Sequence, residues 1–151
     1  AGTVQKVQRH HGKLGPGAPL QKQLTESRRN RRREARMQKH ILLVDSDAAS
    51  RSRLSQALLQ HEYRVSAACS CDQCLALLEQ DLPDCIIFDV DLEGTSGTIM
   101  YSRLRRNSRT RHIPAIVCTN VGPRLGTKAP VLRKSCSCED LLCSVEAALA
   151  S

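Results

Sequence analysis

The sequence predicts an α/β fold built on a doubly wound parallel sheet, and three observations carry that expectation. Short continuous apolar runs, ILLVD at 41–45, CIIFD at 85–89 and IPAIVCT at 113–119, have the length and composition of strands covered on both faces. Stretches with helical spacing separate them, so successive strands are joined by right-handed crossovers and run parallel. Each run also ends on a polar residue, Asp45, Asp89 or Thr119, and the carboxyl ends of central strands are the chemical edge of such a sheet.

Ahead of the first run the chain is of another kind. Residues 1–26 mix Gly, Pro, Gln and charge without periodicity and are expected to be extended. From Ser27, the stretch SRRNRRREARMQKH favours a helix over about 27–38 with almost no apolar face, one that orders only against something negative. Residues 1–39 therefore read as a basic arm and 40–151 as the folded domain. Residues 1–40 hold eleven Lys and Arg against Glu26 and Glu34, a net of +9; residues 41–151 hold twelve basic against thirteen acidic residues, a net of −1. An arm of that charge seeks phosphates or an acidic protein surface. Its candidate contacts are Arg28, Arg29, Arg31, Arg32, Arg33 and Arg36, directed at RNA, DNA or an acidic partner. With no aromatic in the stretch for base stacking, binding to nucleic acid would be electrostatic and poor in sequence preference. A second basic cluster, Arg103, Arg105, Arg106, Arg109 and Arg111, either extends that patch or places cations at a helix C-terminus.

Within the domain, ILLVD is the first strand and residues 48–60 a helix with Leu54, Ala57 and Leu58 at helical spacing. YRVSAAC (63–69) is a more exposed strand. Ser70 and Gln73 form a capping box for a helix running to about Gln80. CIIFD is the third strand, a helix spans about Gly97 to Arg106, and IPAIVCT is the fourth strand. VLRK (131–134) is the fifth, ending on Lys134. Ser137 with Asp140 then opens a last helix carrying Leu141, Leu142, Val145, Ala148 and Leu149. Separate segments thus bring two carboxylates, a hydroxyl and an ammonium to one rim of a five-stranded sheet.

No apolar run approaches the length that spans a bilayer, and the start has no signal-peptide h-region, so no membrane insertion is expected. The basic, acid-poor start resembles part of a transit peptide, although GKLGPGA (12–18) interrupts any amphipathic helix there. The expected location is the cytoplasm, or an organelle stroma or matrix if the arm follows a removed transit peptide. Eight cysteines, at 69, 71, 74, 85, 118, 136, 138 and 143, are expected as reduced thiols. Cys85 and Cys118 read as small buried hydrophobes. The clusters Cys71-x-x-Cys74 and Cys136-x-Cys138 offer four thiolates of the kind zinc takes, and a thiol pair at a helix start opens a redox reading.

Taken together and in order, ILLVDSD, IIFDVDLEGTSG, IPAIVCTN and VLRKS resemble the receiver domain of two-component response regulators over about residues 40–150. The resemblance implies a flavodoxin-like fold with strand order 2-1-3-4-5 and turn glycines at Gly94 and Gly97. It implies that Asp89 accepts a phosphoryl group from a phosphohistidine on a histidine kinase or phosphotransfer protein, or from a small phosphodonor. Asp45, Asp89 and a main-chain carbonyl near Asp91 would hold Mg²⁺, with the Asp91 side chain standing in for an acid the chain lacks. Thr119 and Lys134 would bind the phosphoryl oxygens. Beyond such self-phosphorylation no enzyme activity is implied. The same strand order puts the two cysteine clusters by opposite edges of the sheet, so no zinc is expected.

The sequence departs from the family at several of these places. Ser46 stands where the family has a second acid, Glu93 and Ser135 where it has prolines, and Val131 where it has an aromatic residue. Fourteen residues, 120–133, separate Thr119 from Lys134, and nine remain for the crossover, NVGPRLGTK, once 129–133 are given to the strand. A helical crossover needs at least about ten to twelve. Gly122, Pro123 and Gly126 also oppose helix, so the fourth helix of the receiver is expected to be missing or reduced to a turn. A neighbouring protein, or the arm itself, would then cover the bared sheet face. Two functions stay open: a signalling or adaptor protein with an acceptor at Asp89, and a pseudo-receiver acting as a structural subunit. In the second, the arm anchors the chain in a large assembly such as a ribonucleoprotein or pigment–protein complex.

Overall fold

The computed structural model describes residues 19–120 and 128–151, which divide into two compact units after Met37. The extended conformation expected for the first part of the arm and the fate of the fourth receiver helix fall largely on residues 1–18 and 121–127, outside the described residues.

From Leu20 the described part of the first unit is helical and belongs to α1 (Leu20–Gln38), whose last residue falls past the division. The helix begins seven residues before the expected start at Ser27, which corrects the extended reading of residues 20–26. Leu, Gln, Lys and Glu dominate that stretch and favour helix, while its apolar side chains, Leu20 and Leu24, are one exposed pair four residues apart, too few to show a period. The carbonyl of Pro19 accepts the first helical bond, from the Gln23 amide at 3.1 Å.

The second unit runs β1 (His40–Val44), α2 (Ala48–Gln60), β2 (Arg64–Ala68), α3 (Cys71–Gln80), β3 (Cys85–Phe88), α4 (Gly97–Arg106), β4 (Ala115–Thr119), β5 (Val131–Arg133) and α5 (Cys138–Ala150). Its sheet is parallel throughout in the order β2-β1-β3-β4-β5, as expected. Side chains alternate across a strand, so the central apolar runs feed two cores. Leu42, Val44, Ile86, Phe88 and Val117 pack with Cys74 and Leu78 of α3 and with Met100 and Leu104 of α4. Ile41, Leu43, Ile87, Ile116 and Cys118 meet Leu54 and Leu58 of α2 and Leu141 and Val145 of α5.

Register sets the chemical edge. Val44 pairs with Phe88 and Phe88 with Val117, so Asp45 and Asp89 leave their strands level with one another. Thr119 pairs with Arg133, which puts Lys134 one step beyond. Four helices of the unit start near this edge, each capped by a side chain that accepts from the amide three residues on: Asp47 from Ser50, Ser70 from Gln73, Ser96 from Ile99 and Ser137 from Asp140. The Gln73 side chain reaches back one residue further than a capping box requires, to the Cys69 amide at 2.9 Å.

Gly97 fixes how closely α4 approaches the acceptor strand. Its amide donates to the Val90 carbonyl at 2.8 Å, and a Cβ there would collide with the Asp89 carbonyl oxygen and lie 2.8 Å from the carbonyl carbon. Gly94, at φ +80°, takes the left-handed turn that brings the chain round to α4.

Candidate functional site

The rim gathers around one ammonium. Lys134, first residue after β5, places Nζ 2.9 Å from Asp45 Oδ1 and 2.5 Å from Asp89 Oδ2. Asp45 Oδ1 also accepts the Asp47 amide at 2.9 Å, and Asp89 Oδ1 accepts the Asp91 amide at 3.1 Å. Relative exposures of 1% for Asp45, 4% for Asp89 and 9% for Lys134 put all three out of bulk water. Burial alone would lower the Lys134 pKa, but hydrogen bonds to Asp89 and Asp45, with their charges, outweigh it and hold it above the ordinary lysine value. The ammonium stays charged across the physiological range. Two carboxylates against one ammonium leave an excess negative charge.

Thr119 is buried at the end of β4, and its carbonyl accepts the Lys134 amide at 3.3 Å. Asp45, Asp89, Thr119 and Lys134 therefore come together at one strand-end edge. Asp91 comes near through its backbone only: its side chain is exposed, and its carbonyl accepts the Ser46 hydroxyl at 3.0 Å. Asp47 turns away to cap α2, accepting the Ser50 hydroxyl at 2.7 Å, and this bonding lowers its pKa. Among the described residues no three His, Cys, Asp or Glu side chains gather as metal ligands. Mg²⁺ asks for less, one or two carboxylates with phosphate oxygens and waters, and the excess charge of buried Asp45 and Asp89 fits that demand.

Sequence reasoning missed Arg51. Its guanidinium donates to the Asp45 carbonyl at 2.7 Å from the first turn of α2, tying that helix to the end of β1. The signal was present in spacing: Arg51 lies four residues after the Asp47 cap, where a long side chain points back toward the preceding strand.

The other candidates belong to other elements. Arg28, Arg29, Arg31 and Arg33 are exposed on α1, and Arg32 and Arg36 belong to the same helix. The Glu26–Arg29 ion pair at 3.9 Å is exposed and contributes little. Cys71 and Cys74 follow edge strand β2, whereas Cys136 and Cys138 follow the opposite edge β5. The redox reading expected a helix start to lower thiol pKa. Cys74 goes the other way, pushed up to about 12 by burial and by Cys71, and burial does the same first of all to Cys85 and Cys118. No helix among the described residues is long and apolar enough to cross a membrane.

Comparison with known proteins agrees with this geometry. Residues 41–128 match the response regulator receiver domain family, a span that includes Asp45, Asp89 and Thr119 and stops short of Lys134. The response regulator PleD of Caulobacter vibrioides is 35% identical over 88 residues, covering 58% of this chain and 19% of that protein. The phosphate regulon transcriptional regulatory protein PhoB of Pseudomonas aeruginosa is 37% identical over 84 residues, covering 56% of this chain and 37% of that protein. The chain thus spans well under half the length of these relatives. A putative response regulator from Chloroflexus aurantiacus superimposes with a TM-score of 0.70 at 27% identity, over 75% of this chain and 98% of that one. The chemotaxis response regulator CheY4 of Vibrio cholerae, at 24% identity and TM-score 0.67 over 74% of this chain and 98% of that one, shares the fold. The strand order, the acid pair at the strand ends and the match over most of the sheet make this chain a member of the response regulator receiver domain family.

Proposed function

We propose that the chain is a two-component signalling protein whose Asp89 accepts a phosphoryl group from a phosphohistidine on a histidine kinase or phosphotransfer protein. The observation that carries this reading is the buried Asp89 carboxylate held 2.5 Å from Lys134 Nζ beside Asp45. In the transfer, a carboxylate oxygen of Asp89 attacks phosphorus while the P–N bond to the donor imidazole breaks. The electron pair of that bond returns to the ring nitrogen, and Asp89 becomes an acyl phosphate. Lys134, charged and poised between the two acids, offsets negative charge on the phosphoryl oxygens, and Thr119 donates its hydroxyl to one of them. Mg²⁺ held by Asp45 and Asp89, with the Asp91 main-chain carbonyl, would supply further charge neutralisation. Arg51 keeps the end of β1, and so Asp45, in place.

The test is incubation with Mg²⁺ and a small acyl phosphate, comparing wild type with Asp89→Asn. Hydroxylamine-sensitive label that disappears in the variant is expected. Its absence under saturating donor overturns the acceptor role.

One observation favours a second reading, a pseudo-receiver used as a structural subunit of a larger assembly. The Ser46 hydroxyl replaces an acid and occupies the Asp91 carbonyl. In both readings the arm binds nucleic acid or an acidic protein surface through Arg28, Arg29, Arg31, Arg32, Arg33 and Arg36. Changing these six to Gln in the full chain should weaken RNA or DNA binding and flatten its salt dependence. Unchanged affinity and slope would remove the nucleic-acid role of the arm.

A further inference from the structure

At the end of the domain opposite the rim, the last turn of α4 and the segment after it carry side-chain charge of one sign. Residues 97–113 contain five arginines, His112 and no acidic residue. One of the five, Arg105, is structural. Its Nε donates to the Tyr101 hydroxyl at 2.9 Å, its Nη1 to the carbonyls of Arg111 and Ile113, and its guanidinium lies 4.8 Å from the Tyr101 ring centroid. It thereby ties the C-terminal half of α4 to the turn that leads into β4. That turn is held again by the Thr110 hydroxyl on the Leu104 carbonyl at 2.7 Å, by the Arg109 amide on Asn107 Oδ1 at 2.9 Å, and by the Arg111 amide on the Asn107 carbonyl at 2.9 Å.

The remaining four, Arg103, Arg106, Arg109 and Arg111, are exposed on this braced frame. Among the described residues none forms an ion pair; Arg106 meets only the Ser102 hydroxyl. Of the acids at the same end of the sheet, Asp81 pairs with Arg64 at 2.7 Å and Asp84 accepts the His40 amide at 2.8 Å, while Glu79 is exposed in the last turn of α3. Helix electrostatics explains cations in the last turn of α4, hence Arg103 and Arg106, since that effect fades within one turn. It does not explain Arg109 and Arg111, which lie beyond the helix.

We infer that Arg103, Arg106, Arg109 and Arg111 form a second polyanion surface, on the domain itself, that takes the phosphate backbone of duplex nucleic acid. Every exposed cation of the cluster is arginine, whose planar fork binds phosphate oxygens through paired hydrogen bonds. Single strands are held largely by stacking on aromatic side chains. The three aromatic residues of the chain are unavailable for that: Tyr63 and Phe88 are buried, and Tyr101 is stacked between Phe88 and Arg105. Backbone charge without base stacking favours a duplex, whose phosphates are the denser along its axis. The surface lies at the amino ends of the strands, the end opposite Asp89.

The test uses the full chain and a mixed-sequence duplex of about twenty base pairs, a length that offers many phosphates along one face. Affinity is measured by fluorescence anisotropy across a salt series for wild type and for Arg103→Gln/Arg106→Gln/Arg109→Gln/Arg111→Gln. Arg109→Gln/Arg111→Gln, outside any helix, is the second variant, and thermal unfolding confirms that both are folded. The quadruple variant is expected to bind at least about ten-fold more weakly, with a log–log salt slope shallower by about 2 to 4, at about 0.9 for each phosphate no longer neutralised. The double variant should lose about half of that slope. Unchanged affinity and slope in the folded variants overturn the inference, as does equal binding of poly-glutamate or preference for a single strand of the same length. An arm neutralised at its six arginines separates the two surfaces: if it alone abolishes duplex binding, the arm reading stands and this one fails.

Discussion

The Ser46 hydroxyl donates to the Asp91 carbonyl across 3.0 Å, joining the loop after β1 to the loop after β3 at the position where the family places an acid. A neutral hydroxyl satisfies the carbonyl but adds no charge for a cation. Ser46→Asp is therefore expected to raise Mg²⁺ affinity by at least about ten-fold, one strong charge-assisted ligand contributing on the order of 1.4 kcal/mol or more. Isothermal titration calorimetry reads this directly. Equal affinity in wild type and variant would show that the serine does not limit the site.

Lys134→Met removes the one cation that, among the described residues, pairs with the two buried carboxylates. Stripping one partner from a buried ion pair costs about 3–5 kcal/mol, because the remaining charge is left without compensation. A loss of that size is expected in denaturant unfolding. Adding Asp89→Asn to the Lys134→Met chain should restore part of it, and a double-mutant cycle gives the coupling.

Gly97→Ala tests how tightly α4 meets the acceptor strand. The added methyl collides with the backbone of Asp89 and Val90, where no side chain can swing aside. Destabilisation of about 3 kcal/mol, the upper end for overpacking, is expected from thermal or chemical unfolding. Gly94→Ala, at φ +80° with open space around it, should cost less, through backbone strain alone.

His40 gives the domain a pH dependence of its own. The ring is buried, with Nε2 2.7 Å from the Ser66 hydroxyl. Burial, then the Arg64 charge, lower its pKa below 6.5, against the opposing pull of Asp81 and Asp84. The unfolded chain then binds a proton more readily than the folded one, so the stabilisation is present above pH about 6.5 and is lost as pH falls toward the folded-state value. His40→Gln should flatten the stability profile in that window. An unchanged slope between pH about 7 and about 5 would show that other groups set it.

Much of this was legible in the sequence because strand ends are marked twice, by the apolar run that stops and by the polar residue that stops it. ILLVD, CIIFD and IPAIVCT located Asp45, Asp89 and Thr119 together with the order of the elements, and Ser70 and Ser137 announced their helices. Contacts between distant loops carry no such mark. Nothing in the composition of the Ser46 or Asp91 segments says that a hydroxyl would meet a carbonyl forty-five residues away. The first turns of α1 escaped for a different reason, since one exposed pair, Leu20 and Leu24, gives propensity but too short a period to detect.

The least secured strand carries the residue on which the rim depends. β5 is three residues long, pairs among the described residues with β4 alone, and leaves Val131 46% exposed, yet Lys134 hangs directly from it. Its bonds to Asp45 and Asp89 reach past β4 to β1 and β3, so the ion pairs act as a clasp on an edge that hydrogen bonding holds on one side only. Local opening of such an edge strand takes less free energy than global unfolding. Each opening withdraws the ammonium and leaves two carboxylates repelling one another. The lifetime of the assembled rim is thereby set by the fraying of one short strand, a quantity that amide exchange at Val131–Arg133 measures against the interior strands.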